Sequence, residues 1–217
     1  MTLGTYYTDG EWFDENPRLI GPMDHAFWMS SVAFDGARAI HRLVPDLDLH
    51  CARLIQSALA MGLAPTHSAG EIEDLCREAV RRLPPEIDLY IRPAFYAEEG
   101  FINPDPDSTR FVLAVYETPL KGFNGFGACI STRRRPARDM APTDAKASCL
   151  YPNSARALRE AEDRGFDNAV ILDPNGNVAE FATANLWIAQ DGVVHTPVEN
   201  GTFLAGITRR RIMALLR

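Results

Sequence analysis

Lysine is the rarer basic residue of this sequence, and one of its two copies stands where it could act as a nucleophile. Of the 22 basic side chains, 20 are Arg and only Lys121 and Lys146 are Lys. Arg stays protonated near neutral pH, whereas a Lys withdrawn from water can lose its proton and attack a carbonyl carbon. Lys146 is flanked by Ala145 and Ala147 rather than by a run of solvated charges. Lys146 is therefore a candidate for Schiff-base chemistry.

Other kinds of chemical site are not indicated. The five His are scattered, so the sequence predicts neither a metal site nor a Ser/His/Asp triad. The four Cys are far apart and form no Cys-x-x-Cys pair, which favours free thiols in a reducing cytosol over zinc ligands or disulfides. A net charge of −7 argues against nucleic acid or an anionic membrane as the main partner, because a phosphate-binding surface needs excess positive charge.

The compartment is predicted from the first residues and from the apolar runs. The N-terminal stretch carries acidic side chains and no basic segment followed by an apolar one, so no signal peptide is expected. The longest apolar runs, such as 111–116, are far shorter than the ~18 residues that a membrane-spanning helix needs. These features predict a cytoplasmic protein.

The elements that must position Lys146 are predicted from periodicity and from turn residues. An Asp9-Gly10 turn predicts a hairpin, and Ser68 with Glu71 predicts a capping box at the start of a helix. Helices are predicted over 49–63, 69–83, 153–164 and from 206 to the last residue. Strands are predicted over 6–8, 11–13, 89–96, 111–116, 128–132, 168–172, 178–181, 185–189 and 193–196. The pattern indicates a mixed α/β (α+β) chain with two lobes.

Five stretches of the sequence carry a family resemblance. They are Phe34-Asp-Gly-Ala-Arg38, His50-Cys-Ala-Arg53-Leu, Pro142-Thr-Asp-Ala-Lys146 with Tyr151, the block from Arg164-Gly165 through Glu180 to Asn185, and Leu204-Ala-Gly-Ile-Thr-Arg209. In this order they resemble the class IV aminotransferases that depend on pyridoxal 5'-phosphate (PLP). That family includes branched-chain aminotransferases, D-amino-acid transaminases and aminodeoxychorismate lyases.

The resemblance implies a two-lobed, fold-type IV PLP enzyme. Residues 1–121 would form a small N-terminal α/β domain and 122–127 a linker. Residues 128–217 would form most of a larger, barrel-like PLP-binding domain. Chains of the family continue past the last motif, so the domain is expected to be truncated at its C-terminus.

The resemblance also implies roles for residues around the cofactor. Lys146 would bind PLP as a Schiff base and, once released, carry a proton between the substrate Cα and the cofactor C4′. Glu180 would face the pyridine nitrogen, and Tyr151 would donate to the phenolic oxygen. The phosphate would be held by Arg53 and by the backbone N–H groups of Ile207 and Thr208. No metal is implied.

The substrate prediction depends on Tyr90-Ile-Arg92-Pro93, which resembles the Tyr-x-Arg-Pro of branched-chain aminotransferases. Phe34, Tyr90 and Arg92 would then line the substrate pocket. A homodimer would move an amino group from an aliphatic, branched-chain-like amino acid to a 2-oxo acid such as 2-oxoglutarate.

Departures from the family pattern keep alternatives open. Met29 stands where branched-chain enzymes usually have Tyr, and Trp28 precedes it. This favours a D-amino-acid or (R)-amine transaminase of the same family as an alternative. The expected truncation makes a non-catalytic PLP-binding relative a further one. Asp35 replaces the usual Glu.

Overall fold

The computed structural model describes residues 3–120, 122 and 124–217. Helices and strands are mixed along these ranges, so the predicted α/β class is confirmed. By their contacts the residues group into two units, Met1–Gly122 with Ala145–Cys149, and Phe123–Asp144 with Leu150–Arg217. The predicted domain bounds stay a prediction. Its linker includes Phe123, which lies outside the described residues.

The first unit is built on an antiparallel sheet. Its strands are β1 (Gly4–Thr8), β2 (Glu11–Phe13), β3 (Val32–Phe34), β4 (Ala37–Ala39), β5 (Leu89–Ala97) and β6 (Thr109–Glu117). They pair in the order β2-β1-β6-β5-β3, and β4 also pairs with β5. The turn between β1 and β2 is the predicted one, because Asp9 and Gly10 both have positive φ, 50° and 82°, as a type I′ hairpin requires.

The helices of the first unit are α1 (His25–Met29), α2 (Leu47–Ala60) and α3 (Ala69–Arg82). The predicted capping box is present: Ser68 accepts from the Glu71 N–H, and the Glu71 side chain accepts from the Ser68 N–H. α3 lies where periodicity predicts it, whereas α2 begins at Leu47 rather than at 49 and ends at Ala60 rather than at 63, before Gly62 with its positive φ of 73°. The sequence did not predict α1, β3 or β4, because each is too short to show a period.

The two faces of the sheet differ in what covers them. Leu89, Ile91 and Phe95 of β5 are buried in one core with apolar residues of α2 and α3, such as Leu54. Successive side chains of a strand point to opposite faces, so Tyr90 and its face-mates lie on the face away from these helices. That second face is where the first unit presents its predicted substrate residues.

The second unit contains a smaller mixed sheet and two helices. The strands are β7 (Ala128–Arg134), β8 (Asn168–Leu172) and β9 (Val178–Phe181), with a separate hairpin of β10 (Ile188–Gln190) and β11 (Val193–His195). β7 and β8 are parallel, and β8 and β9 are antiparallel. The helices are α4 (Tyr151–Asp163), which packs Ala157 and Ala161 in one core with Ile171 of β8, and α5 (Ile207–Leu215).

Two predicted bounds in the second unit are wrong. The strand predicted over 185–189 begins only at Ile188, because a turn closed by Phe181 N–H and Ala184 C=O precedes it. The last helix ends at Leu215 rather than at the final residue. In the described ranges, no helix is both long enough and apolar enough to span a membrane.

Candidate cofactor and substrate site

The backbone of Lys146 is held against the edge of the first sheet. Its N–H donates to Ser57 Oγ at 3.0 Å, and its C=O accepts from the Phe34 N–H at 3.0 Å. The next residue, Ala147, forms an antiparallel bridge with Ala33. Nζ lies 5.0 Å from the centroid of the Phe34 ring. The sheet therefore fixes the backbone from which the amine of Lys146 extends.

Three predicted substrate residues share one face of this sheet. Phe34 pairs with Ala94 in the ladder, and Ala94 is two residues from Arg92 and four from Tyr90. Because alternate residues of a strand share a face, Phe34, Tyr90 and Arg92 lie on the same side. Nζ of Lys146 lies over the Phe34 ring. The structure thus brings the predicted nucleophile and the predicted substrate residues to one face of the first unit.

Two further side chains extend this face, and the sequence analysis missed both. The Tyr90 ring lies 5.8 Å from the Tyr116 ring and 5.7 Å from Cζ of Arg38, while Cζ of Arg92 lies 5.3 Å from the Tyr116 ring. A Cβ at Gly36 would overlap the hydroxyl of Tyr90. The signal for these neighbours is strand register, since Arg38 and Tyr116 both pair directly with Tyr90.

Arg53, a predicted phosphate ligand, is held on α2 by a buried carboxylate. Its Nε and Nη2 lie 2.7 and 2.8 Å from the two oxygens of Asp35, and His50 Nδ1 lies 2.7 Å from Oδ1. Burial alone would raise the pKa of Asp35. The hydrogen bonds and charges of His50 and Arg53 outweigh that effect and hold the pKa below its ordinary value of 3.8. Asp35 is therefore an ionised anchor for Arg53.

In the second unit, Glu180 is enclosed by polar partners. Its carboxylate lies 3.4 Å from Nε of Arg135 and accepts from Nδ2 of Asn185 at 3.2 Å. Arg135 is itself buried and donates to the C=O of Thr202 at 2.9 Å. The side chain of Glu180 is 12% exposed, so it is not an ordinary solvated carboxylate at a strand end.

Ile207 and Thr208 form the first turn of α5, as the sequence predicts. The N-cap residue is Gly206, and within the described part of the chain no side chain caps the helix there. An N-terminus of this kind presents backbone N–H groups and the positive end of the helix dipole, which together suit an anion. Asn185 lies directly beside it, because a Cβ at Gly206 would overlap Oδ1 of Asn185.

Asn185 is a residue whose role the sequence did not reveal. Its Nδ2 donates both to Glu180 and, at 3.3 Å, to the C=O of Leu204. It therefore connects the carboxylate predicted for the pyridine nitrogen with the segment that leads into α5. Tyr151, the remaining predicted residue of this unit, opens α4 and is 39% exposed. Over the described residues, no three His, Cys, Asp or Glu are grouped so as to hold a metal ion.

Comparison with known proteins gives one family. The model of the amino-transferase class IV family matches residues 32–217. A branched-chain-amino-acid aminotransferase of Pseudomonas aeruginosa is 32% identical over 225 residues, covering 98% of this chain and 72% of that protein.

Solved structures agree with the sequence match. The X-ray structure of an aminotransferase from Brucella abortus bound to the co-factor PLP is 47% identical, with a TM-score of 0.96 over 99% of this chain and 78% of that one. The T.th. branched-chain amino acid aminotransferase complexed with N-(5'-phosphopyridoxyl)-L-glutamate is 28% identical. Its TM-score is 0.90 over 98% of this chain and 73% of that one.

Proposed function

This chain belongs to the class IV aminotransferases, and we propose that it passes the amino group of an aliphatic, branched-chain-like amino acid to a 2-oxo acid such as 2-oxoglutarate, using PLP bound covalently to Lys146. The family match and the fold make it a PLP-dependent, branched-chain-aminotransferase-like transaminase of fold type IV. The donor, the acceptor and the covalent bond to Lys146 are the parts that we propose.

The observation that carries the proposal is the position of Lys146. Its backbone bonds to Ser57 and Phe34, and its Nζ lies 5.0 Å from the Phe34 ring, on the face that also holds Tyr90 and Arg92. An amine extending from a fixed backbone beside a substrate surface can act repeatedly as nucleophile and proton carrier.

The donor set fits PLP in kind. Lys146 offers an amine for the aldehyde carbon of PLP, Glu180 a carboxylate for its ring nitrogen, and Tyr151 a phenol for its ring oxygen. Arg53 and the start of α5 suit the phosphate. When bound, PLP supplies an electron sink for the negative charge that develops at the substrate Cα.

The chain's own residues then hold and move the protons. Glu180 would keep a proton on the pyridine nitrogen, and its own charge is balanced by Arg135 at 3.4 Å. Nζ of Lys146 would take the proton from the substrate Cα and return it at C4′ of the cofactor. A positioned acid–base group of this type contributes roughly 10²–10⁴-fold in rate.

The substrate proposal is supported by the chemistry of the sheet face. Phe34, Tyr90 and Tyr116 offer aromatic surface for an aliphatic side chain, while Arg38 and Arg92 offer positive charge for a carboxylate. One relative was solved as a complex with N-(5'-phosphopyridoxyl)-L-glutamate, which supports 2-oxoglutarate as the amino acceptor and glutamate as its product.

The alternative of a D-amino-acid or (R)-amine transaminase is favoured by Met29 and Trp28. Trp28 is 44% exposed on α1, and Met29, which stands in place of the usual Tyr, is the last residue of that helix. Conversion of the bound cofactor by L-Leu and L-Ile, followed spectroscopically, tests the branched-chain proposal. Conversion by D-Ala or an (R)-amine alone would replace it with this alternative.

We also propose a cytoplasmic homodimer. The cytoplasm is supported by the cysteines Cys51, Cys76, Cys129 and Cys149, all of which are free. The dimer is supported by an exposed apolar patch formed by Phe27, Trp28, Phe101 and Ile102, whose side chains are 65, 44, 75 and 64% exposed.

The role of Lys146 is tested by removing each lysine in turn. Lys146→Ala should abolish the visible absorption band of the PLP-loaded protein and reduce turnover by about 10²–10⁴-fold. Lys121→Ala, which removes the other lysine, should keep both. Borohydride reduction should fix the phosphopyridoxyl group on Lys146, as read by peptide mass. A wild-type protein that takes up no PLP would contradict the proposed function. Uptake of PLP without any turnover would favour the non-catalytic PLP-binding relative.

A further inference from the structure

Asp35 joins the turn after β3 to helix α2 through a buried, hydrogen-bonded carboxylate. The side chain is 0% exposed. Oδ1 accepts from the Gly36 N–H at 2.7 Å and lies 2.7 Å from His50 Nδ1 and 2.8 Å from Arg53 Nη2, while Oδ2 lies 2.7 Å from Arg53 Nε. Three of these contacts reach Oδ1 and one reaches Oδ2, all from neighbouring protein groups, and the carboxylate is closed to solvent. Any effect of Asp35 on a ligand must therefore act through its partners.

The contact with Asp35 uses one edge of the Arg53 guanidinium. Nε and Nη2 face the carboxylate, so the edge formed by Nη1 and Nη2 points onward along the side chain. That second edge presents two parallel N–H donors, the geometry that matches two oxygens of a phosphate. The two bonds to Asp35 fix the plane of the guanidinium, whereas one bond would leave it able to rotate.

His50 supports Asp35 from the same helix. It lies three residues before Arg53 on α2, so the two side chains lie on one face of the helix. His50 and Arg53 both contact Asp35 Oδ1, at 2.7 and 2.8 Å. The helix therefore holds the carboxylate at two points one turn apart.

We propose that Asp35 is a positioning residue that orients Arg53 toward the phosphate of PLP, with His50 as its support. The inference rests on the proposed function, in which Arg53 binds that phosphate. It predicts that loss of the Asp35 carboxylate weakens the part of cofactor affinity that comes from the phosphate and leaves the rest.

The test compares PLP with pyridoxal, which lacks the phosphate, in titrations of the cofactor-free protein. Asp35→Asn keeps the size of the side chain and removes its charge. It should raise the Kd for PLP by about 10–100-fold, by analogy with the loss of affinity when the hydrogen-bonded partner of a metal ligand is removed. The Kd for pyridoxal should stay within about 3-fold. Asp35→Glu, which restores a carboxylate, should recover part of the PLP affinity.

A double variant separates positioning from a general structural effect. Arg53→Gln should show the same selective loss for PLP, and Asp35→Asn combined with Arg53→Gln should lose no more than Arg53→Gln alone, because both act through one contact. Equal losses for PLP and pyridoxal, or additive losses in the double variant, would overturn the inference. Wild-type protein that binds no PLP would overturn the proposed function and this inference together.

His50→Gln covers the case in which Asp35→Asn does not fold, as judged by circular dichroism. Because His50 acts on the phosphate only through Asp35, removing this single contact should weaken PLP binding by about 3–10-fold, the value of one ordinary hydrogen bond, with no matching loss for pyridoxal. A folded His50→Gln protein with unchanged PLP affinity would overturn the inference.

Discussion

Gly36 shows how one missing side chain shapes the substrate face. The φ angle of Gly36 is not positive, so the backbone conformation at this position would accept a residue other than glycine. What excludes a side chain is the hydroxyl of Tyr90, which a Cβ would overlap. The motif containing Gly36 is visible in the sequence. The reason for the glycine is not, because it depends on which residue of β5 lies opposite β4.

Gly36→Ala should therefore displace Tyr90 rather than strain the backbone. We expect kcat/KM for the amino donor to fall by roughly 10–100-fold, since small misplacements at a reacting site have effects of that size. Overpacking should lower the free energy of unfolding by about 1–3 kcal/mol. Steady-state kinetics and urea unfolding measure the two effects.

Gly70→Ala is the matched control, because nothing lies within 4 Å of the Cβ it would add. It lies in α3, where Ala is the better helix former, so stability should stay equal or rise by up to about 1 kcal/mol. If Gly36→Ala changes kcat/KM and the free energy of unfolding no more than Gly70→Ala does, the overlap with Tyr90 does not affect function.

At the scale of elements, the sequence predicts the helices and strands whose formation depends on neighbouring residues. It misses the strands that form by pairing with residues far away along the chain. The start of α3 follows from Ser68 and Glu71 alone, and the structure has it where the sequence puts it. β3 and β4 depend on pairing with β5, about 50 to 64 residues away along the chain. The carboxylate network of Asp35 belongs to the second kind, since it joins the β3–β4 turn to α2.

Ser68→Ala should destabilise the protein without touching its chemistry. Loss of an N-cap serine costs about 0.5–2 kcal/mol of the free energy of unfolding. Urea unfolding should show this loss, while kcat and KM stay within about 2-fold of wild type. Ser68→Asp, which keeps an acceptor at the N-cap, should recover most of the stability. A change in KM as large as that in Gly36→Ala would contradict a purely structural role for this cap.

At the scale of the whole molecule, we expect the exposed apolar patch of Phe27, Trp28, Phe101 and Ile102 to form part of the proposed dimer interface. The rings of Trp28 and Phe101 are in contact, with centroids 6.0 Å apart. Buried His25 also contacts this patch, because its Nε2 lies 3.1 Å from the C=O of Phe101. An exposed apolar cluster of this kind is typical of an interface rather than of a solvated loop.

Phe101→Asp should therefore convert the proposed dimer to a monomer at micromolar concentration, as measured by sedimentation velocity. Desolvating one charge in an apolar interface weakens it by several kcal/mol. Leu59→Asp, at a residue of α2 that is 54% exposed, is the control and should stay dimeric. Dissociation by Leu59→Asp and not by Phe101→Asp would move the interface to the helical side of the sheet.

The grouping of Ala145–Cys149 with the first unit has a consequence for synthesis on the ribosome. The acceptor of the Lys146 N–H, Ser57, emerges about 90 residues before its partner. The N-terminal unit therefore cannot be completed while only residues 1–122 have been made, because its last hydrogen-bonding segment is still to be translated. A nascent chain ending before residue 145 would therefore leave the Phe34 N–H without the Lys146 C=O and Ala33 without its bridge to Ala147.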